Sequence, residues 1–186
     1  MGRVSQAQAR ENRERVVRTA SRLFREQGTQ VGVAELMKAS GLTHGGFYKQ
    51  FASKEALIDE ATALAFGELN ESRTAAVESG SDERAAAQRA LVDTYLSVQH
   101  RDNPAEGCPV AGLAQDMARD SGSREAHRVY AEGVGDFAEW LATEDQDGIA
   151  RLCTMVGALV LSRATRDTPL SEEILTAART ALTETG

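Results

Sequence analysis

The chain has 186 residues, a formal net charge of −7 and 41% hydrophobic residues, which is enough to bury one core or two small ones. Its longest apolar run, 155–161, is far shorter than the roughly 20 residues of a membrane span, and its Arg-rich start does not resemble a signal peptide. The two cysteines, Cys108 and Cys153, exclude a disulfide framework and have no zinc-ligand spacing. These features predict a soluble cytoplasmic protein without a metal or cofactor.

The charge is unevenly distributed along the chain. Residues 1–60 carry ten Lys or Arg against seven Asp or Glu, a net charge of +3, whereas residues 61–186 carry 11 against 21, a net charge of −10. All three lysines, Lys38, Lys49 and Lys54, lie in the basic segment. A basic end on an acidic body is expected when only that end meets phosphate, although a chance cluster of solvated helix charges gives the same pattern.

The spacing of apolar residues predicts an all-α fold of about nine helices, because no stretch alternates convincingly between apolar and polar residues. Four helices are predicted in the first 77 residues, over 8–27, 33–40, 43–50 and 53–77. Gly28 ends the first of them, Gly41 supplies the positive φ of a tight turn after the second, and Ser53 caps the fourth. Five more helices are predicted to begin near Asp82, Cys108-Pro109, Ser123, Ile149 and Ser171, after loops that include 78–82 and 102–107.

Two short helices joined by a glycine-containing turn are typical of a helix-turn-helix, whose last helix lies in the major groove of DNA. Phe47 and Phe51, four residues apart, face the core in this interpretation, and the polar side chains between them face outward. Gly45 and Gly46 are poor helix formers, so their presence favours close approach to DNA or to the preceding helix. The residues predicted to contact DNA are Thr43, His44, Gly45, Gly46, Tyr48, Lys49 and Lys54, with Arg10 and Arg13 before them, for which a solvated helix end is the alternative.

The run at 35–57, ELMKASGLTHGGFYKQFASKEAL, resembles the signature of TetR-family transcriptional regulators. The resemblance implies a DNA-binding domain at 1–55 and an effector-binding and dimerisation domain at 56–186. It implies a homodimer that usually represses, and that a small molecule releases from a palindromic operator. Thr43, Tyr48, Lys49 and Lys54 match DNA-contacting positions of the family, and His44 and Gly45 match base-facing positions. Val31-Gly32 departs from the pattern, since most members have Thr or Ser there.

The resemblance also implies an effector pocket among the helices of the body. The effector is expected to be apolar or aromatic, because the body offers mainly apolar side chains. The candidate pocket residues are Tyr95, Gln99, Met117, Tyr130, Phe137, Trp140 and Met155. Ordinary core packing is the alternative for each of them.

The last two predicted helices are the expected dimer surface, because two amphipathic helices with small residues can pack on their symmetry mates. The candidate interface residues are Val156, Leu159, Val160, Leu175, Ala178 and Leu182, with intramolecular core again as the alternative. Cys108 at a helix start is expected to have a lowered pKa and is a candidate sensor of oxidants or electrophiles. Cys153 is expected to be a small buried apolar residue.

The function predicted from these features is a ligand-responsive DNA-binding regulator with two conformations, and not an enzyme. An enzyme or ligand-storage protein is the rival class. It is disfavoured because no Ser/His/Asp set, paired carboxylates, phosphate-binding loop or metal cluster can be assembled from the sequence. A protein-binding module with a degenerate head is a third possibility, and it predicts no salt-dependent DNA binding.

Overall fold

The computed structural model describes residues 6–77, 81–119 and 123–183, and the secondary structure of this part of the chain is entirely helical. The α-helices are α1 Gln6–Gln27, α2 Val33–Ala39, α3 Lys54–Val77, α4 Ser81–Tyr95, α5 Val98–Asp102, α6 Pro109–Ala118, α7 Arg124–Leu141, α8 Gly148–Ala164 and α9 Pro169–Thr183. Two 3-10 helices, His44–Lys49 and Pro104–Glu106, complete the described elements. The predicted all-α fold is confirmed.

Local sequence signals place the helix ends of the amino-terminal head, α1 to the start of α3. Gly28 and Gly41 adopt positive φ angles of 84° and 71°, as the two turns require. The Ser53 Oγ accepts a hydrogen bond of 3.2 Å from the Ala56 N–H, so the predicted cap of α3 is confirmed. Gly32 precedes α2 without a side-chain cap, as its lack of a hydroxyl dictates.

Two segments differ from the predicted helices. The predicted helix over 43–50 is a 3-10 helix over His44–Lys49, because adjacent glycines favour the α-helix poorly and the segment is only six residues long. The predicted helix that begins near Asp82 ends at Tyr95, and a separate short helix, α5, begins at Val98. The Ser97 Oγ accepts from the His100 N–H at 3.1 Å and thereby caps α5. The predicted loop over 102–107 includes the second 3-10 helix.

The head has its own apolar core, in which Phe47 stacks on Phe51 at 5.4 Å between ring centroids. The largest fully buried side chains that the head contributes to this core are Phe24, Leu36, Met37, Phe47 and Leu57. Their burial fixes the 3-10 helix on α1, α2 and α3. The core continues to Ala61 and takes Leu113 and Met117 from α6, so helices of the body complete it. The division at residue 55 stays a prediction.

A second core holds the body together, with α7, α8 and α9 packed around it and α3 passing from the head into it. Its fully buried members include Leu96, Phe137, Leu141, Met155 and Leu159. Among the described helices, none is both long and apolar enough to cross a membrane.

Candidate functional site

The 3-10 helix His44–Lys49 presents a row of polar side chains to solvent. Phe47 is fully buried, whereas the side chain of Tyr48, its neighbour, is 67% exposed. The Tyr48 ring meets the Phe47 ring edge-on at 5.1 Å between centroids, so the buried anchor orients the exposed ring. Thr43, His44 and Lys49 are exposed as well. The predicted DNA-contacting residues of this segment therefore share one exposed surface, which we call the recognition surface (Thr43, His44, Gly45, Tyr48 and Lys49).

The two glycines of this segment have different surroundings. A Cβ atom on Gly46 would lie 3.5 Å from the Met37 Cε, which is ordinary contact with α2. A Cβ atom on Gly45 would meet nothing within 4 Å, so the fold itself leaves that position open. Thr43 precedes the helix but makes no capping hydrogen bond with its side chain. Packing within the protein therefore does not require a glycine at position 45.

Replacing Gly45 with alanine is expected to weaken DNA binding about tenfold, because the added methyl group occupies space that the DNA would fill. The free energy of unfolding should stay the same or rise by about 0.5 kcal/mol, since no protein atom is close. DNA titration and urea unfolding of the same preparation measure the two effects. Gly67→Ala in α3, equally open, is the control; full DNA affinity in Gly45→Ala would contradict the proposed close approach.

Lys54, the first residue of α3, follows the recognition surface in the sequence and adds a positive charge. Lys54 is half-buried and starts the helix that Ser53 caps. The carboxylate of the adjacent Glu55 is hydrogen bonded to the Glu55 backbone N–H and to Ser53, and these two bonds, the first more than the second, lower its pKa. The helix start therefore favours negative charge, which is also what a phosphate group carries.

The two arginines of α1 that were predicted to contact DNA, Arg10 and Arg13, are engaged with the protein itself. Both Arg13 Nη atoms lie 2.5 Å from carboxylate oxygens of Glu60 on α3, and the Arg13 guanidinium carbon lies 4.8 Å from the centroid of the Phe51 ring. The predicted DNA contact of Arg13 is therefore not supported, since this ion pair instead holds α1 against α3 beside the recognition surface. Arg10 pairs with Glu14 one turn later at 2.9 Å, on the protein surface.

A cavity of about 280 Å³ lies in the body beneath the head, and we call it the body cavity. Its lining residues come from α1, α3, α4, α5, α6, α7 and the second 3-10 helix with the two residues after it. They are Arg25, Ala65, Glu68, Leu69, Leu91, Thr94, Tyr95, His100, Glu106, Gly107, Cys108, Pro109 and Phe137. Apolar side chains such as Leu69, Leu91 and Phe137 share this wall with charged and polar ones such as Arg25, Glu68 and His100. Small-molecule sites combine groups of both kinds.

Two of the predicted pocket residues, Tyr95 and Phe137, line the body cavity. The other five lie elsewhere, because burial and helix packing direct their side chains away from it. Gln99 is exposed, Met117 belongs to the core of the head, and Met155 is fully buried in the core of the body. Tyr130 donates a hydrogen bond of 2.8 Å to the Val110 carbonyl. Trp140 packs on the body core outside the cavity.

The environments of the two cysteines are the reverse of those expected. Cys108 lines the cavity and is buried, and burial raises the pKa of its thiol. The expectation of a lowered pKa at the helix start is therefore wrong, because desolvation outweighs the neighbouring backbone N–H groups that lower it. Cys153, expected to be buried, is exposed on α8.

Two groups that sequence reasoning missed connect the head to the body. Arg25 on α1 is buried and lines the body cavity, where its Nη1 donates to the Gly107 carbonyl at 3.1 Å. Asp116 on α6 accepts hydrogen bonds from the Thr29 hydroxyl at 2.6 Å and from the Thr29 N–H at 3.1 Å. One sequence signal could have indicated that Arg25 is buried. It lies four residues after Ser21, so both residues are on the same side of α1, next to its apolar stripe.

The predicted dimer residues divide between two faces of α8 and α9. Four of them are buried within the protomer, namely Leu159, Leu175, Ala178 and Leu182, so their assignment to the dimer surface is wrong. Val156 is half-buried, and Val160 is 45% exposed. Val160 lies on one face of α8 with other apolar residues three or four positions apart, and together they form a second apolar stripe on this helix. The α9 helix has a second apolar stripe of the same kind. These outer stripes are Ile149, Cys153, Val156 and Val160 on α8, and Leu170, Ile174, Ala177 and Ala181 on α9.

Comparisons with known proteins agree with this geometry. Residues 16–61 match the family model of bacterial regulatory proteins, tetR family. The HTH-type transcriptional regulator AcrR of Shigella flexneri is 33% identical over 72 residues, which are 38% of this chain and 34% of that protein. The chain thus aligns with about a third of the length of this curated relative.

Two solved structures are similar to the whole fold. The reduced form of NemR from E. coli has a TM-score of 0.72 at 18% identity, covering 94% of this chain and 96% of that one. A TetR transcriptional regulator from Chloroflexus aurantiacus has a TM-score of 0.71 at 20% identity, covering 95% and 94%. Residues 16–61 thus match the amino-terminal domain of the tetR family of bacterial regulatory proteins, and the chain as a whole has a fold similar to those of the two solved structures.

Proposed function

We propose that this protein is a ligand-responsive transcriptional repressor, which binds a palindromic operator as a homodimer and is released by a small molecule. The observation that carries DNA binding is the recognition surface, where Thr43, His44, Tyr48 and Lys49 are all exposed while Phe47 between them is buried. Polar and cationic side chains on one rigid segment are what phosphate and base edges require. A repressor of this kind acts on chromosomal DNA, and its proposed location is therefore the cytoplasm.

Titration of the protein with DNA from its own promoter region, over a series of salt concentrations, tests this proposal. Specific binding with a palindromic footprint and a steep decrease in affinity with salt is the expected result, because Lys49 and Lys54 displace counterions from phosphates. Scrambled DNA of the same length is the control. Equal affinity for both DNAs without a footprint would refute the proposed regulator and favour a ligand-binding or protein-binding module.

The outer stripes of α8 and α9 support the proposed homodimer. Ile149, Val160 and Leu170 are 65%, 45% and 51% exposed in the single chain, although they are apolar. The two helices pack against each other through their opposite, buried faces, which leaves both stripes on the outside. A second copy of this chain offers the same two stripes, so a twofold axis between them buries all four helices in one self-complementary interface.

The Val160→Glu variant is expected to be monomeric, because each protomer would place a carboxylate in an apolar interface. Its operator affinity should fall about 100-fold, since the two half-sites are then bound independently. Light scattering after size-exclusion chromatography gives the oligomeric state. Leu161→Glu is the matched control, because Leu161 is 56% exposed but points off the stripe. A dimeric Val160→Glu protein, or a monomeric parent, would contradict this interface.

Arg25 supports coupling between the body cavity and DNA binding. It belongs to α1 of the head, yet its guanidinium lines the cavity and donates to the carbonyls of Ser21 and Gly107 at 3.1 Å each. A ligand in the cavity therefore touches a side chain whose helix positions the recognition surface. In this proposal the ligand favours a conformation in which α1 has moved, and the two recognition surfaces lose the spacing of about 34–36 Å that successive major grooves require.

Two further contacts tie α1 to the segment around α6. A Cβ atom on Gly112 would lie 3.0 Å from the Arg25 Cα, so the backbones of α6 and α1 approach closely. Thr29, just after α1, is held by buried Asp116 of α6. A displacement of α6 is therefore expected to move the head. An effector that prefers the released conformation by about 3 kcal/mol would weaken operator binding about 150-fold.

A further inference from the structure

We propose that the body cavity binds a small, uncharged, largely apolar molecule that carries one hydrogen-bond acceptor, and that the Tyr95 hydroxyl donates a hydrogen bond to this acceptor. The inference rests on the proposed function, since it specifies the chemical class of the effector. It follows from the size of the cavity and from the partners of its charged, histidine and tyrosine side chains.

The size limits the ligand to a small molecule. The cavity measures about 280 Å³, at or below the lower end of the range of about 300–1,000 Å³ for small-molecule sites. Leu69, Leu91 and Phe137 line it with aliphatic and aromatic carbon. A compact aromatic or aliphatic body fits these walls.

The charged groups of the wall are already paired, which disfavours a charged ligand. Arg25 lies 3.5 Å from the Glu68 carboxylate, and Glu106 lies 2.5 Å from the Arg22 guanidinium. A ligand carboxylate would compete with Glu68 for Arg25, and a ligand cation would compete with two arginines for the same acids. In a partly desolvated site such an exchange of partners brings little net gain.

His100 is also fully engaged. Its Nδ1 lies 2.8 Å from the Tyr95 carbonyl, and its Nε2 lies 3.2 Å from the Cys108 N–H. The first contact needs a donor and the second an acceptor, so the ring is neutral with its proton on Nδ1. Burial lowers the pKa of His100, in agreement with this neutral form. Neither nitrogen is left to bind a ligand.

The Tyr95 hydroxyl differs from these groups. Tyr95 is 4% exposed and lines the cavity, and within the described part of the chain its hydroxyl has no oxygen or nitrogen partner and meets only the Cys108 thiol. The neighbouring Cys108 thiol acts on it, but a thiol is a weak partner. A buried hydroxyl without a good partner destabilises the site, and a ligand acceptor would offset this loss. The hydroxyl is therefore the group that a ligand is expected to satisfy.

Two nearly isosteric probes test the inference, acetophenone with a carbonyl acceptor and α-methylstyrene with a methylene group in its place. Calorimetric titration of the full chain without DNA is expected to show about fivefold to tenfold tighter binding of acetophenone, which corresponds to one hydrogen bond. In Tyr95→Phe this preference should disappear, while α-methylstyrene binds as before. The variant is expected to fold about as stably as the parent, because the buried hydroxyl that it removes has only the weakly bonding Cys108 thiol as a partner.

Tyr130→Phe is the matched control, because it makes the same chemical change at a hydroxyl that is bound to the Val110 carbonyl. It should keep the preference for acetophenone. The inference is overturned if neither probe binds, if the parent does not distinguish them, or if Tyr95→Phe still prefers acetophenone. These titrations contain no DNA, so they are independent of the proposed function. Loss of operator binding in the parent would refute the regulator and leave the ligand result unaffected.

Discussion

The Tyr48→Ala/Lys49→Ala double variant is expected to bind operator DNA about 1,000-fold more weakly than the parent protein. Each side chain is assigned one contact worth about 1 kcal/mol in each of two half-sites, and the sum of about 4 kcal/mol corresponds to this loss. The slope of log affinity against log salt should also decrease by about 2, because one lysine–phosphate contact is lost in each half-site. Fluorescence anisotropy over a salt series measures both quantities.

The double variant should remain folded, because Tyr48 is 67% exposed and Lys49 is also on the surface. Its unfolding free energy is expected to change by less than about 1 kcal/mol, the value of the edge-on contact between Tyr48 and Phe47. Arg89→Ala, which removes a positive charge from the exposed face of α4, is the control and should bind like the parent. Unchanged affinity in the double variant would rule out the recognition surface.

Replacing Gly148 with alanine is expected to destabilise the body by about 3 kcal/mol or more. A Cβ atom at this position would lie 1.8 Å from the Ala138 carbonyl oxygen and 2.9 Å from the Ala142 N atom. Both are backbone atoms at the end of α7, so no side chain can rotate away, and α7 and α8 must separate. Urea unfolding followed by circular dichroism measures the loss.

Gly135→Ala on α7 is the matched control, because a Cβ atom there would meet nothing within 4 Å. This variant is expected to gain about 0.5–1 kcal/mol, as alanine favours a helix more than glycine does. If Gly148→Ala were as stable as the parent, the close α7–α8 contact would be wrong. Because the proposed dimer surface lies partly on α8, Gly148→Ala is also expected to bind DNA less tightly than Gly135→Ala at the same concentration.

The head could be predicted from the sequence in most respects because its signals act over a few residues. Gly28 and Gly41 adopt the positive φ angles that only glycine takes readily. Ser53 caps α3 through the N–H three residues later. Phe47 is buried and Tyr48 exposed, as expected for neighbours on a helical segment anchored by Phe47 and Phe51. The 3-10 form of this segment was not predicted, since weak helix propensity does not specify which helix forms.

The candidate sites of the body were predicted less well, because they depend on which faces of several helices meet. The α8 helix is apolar nearly all around, so its periodicity alone could not distinguish the inner face with Leu159 from the outer face with Val160. Packing of α9 decided this by covering the inner face. Of the seven candidate pocket residues, only Tyr95 and Phe137 line the cavity, since similar apolar spacing produces core and pocket walls alike.

The sequence by itself determined the all-α class, the positions of most helices and the segment that carries the recognition surface. These properties depend on propensities, caps and turns whose energies are set by neighbouring residues. Tertiary structure decided the raised pKa of the Cys108 thiol, the placement of Arg25 in the wall of the body cavity and the hold of Asp116 on Thr29. Each of these three features depends on desolvation or on a contact between residues far apart in the chain. The spacing of neighbouring residues specifies neither desolvation nor such long-range contacts.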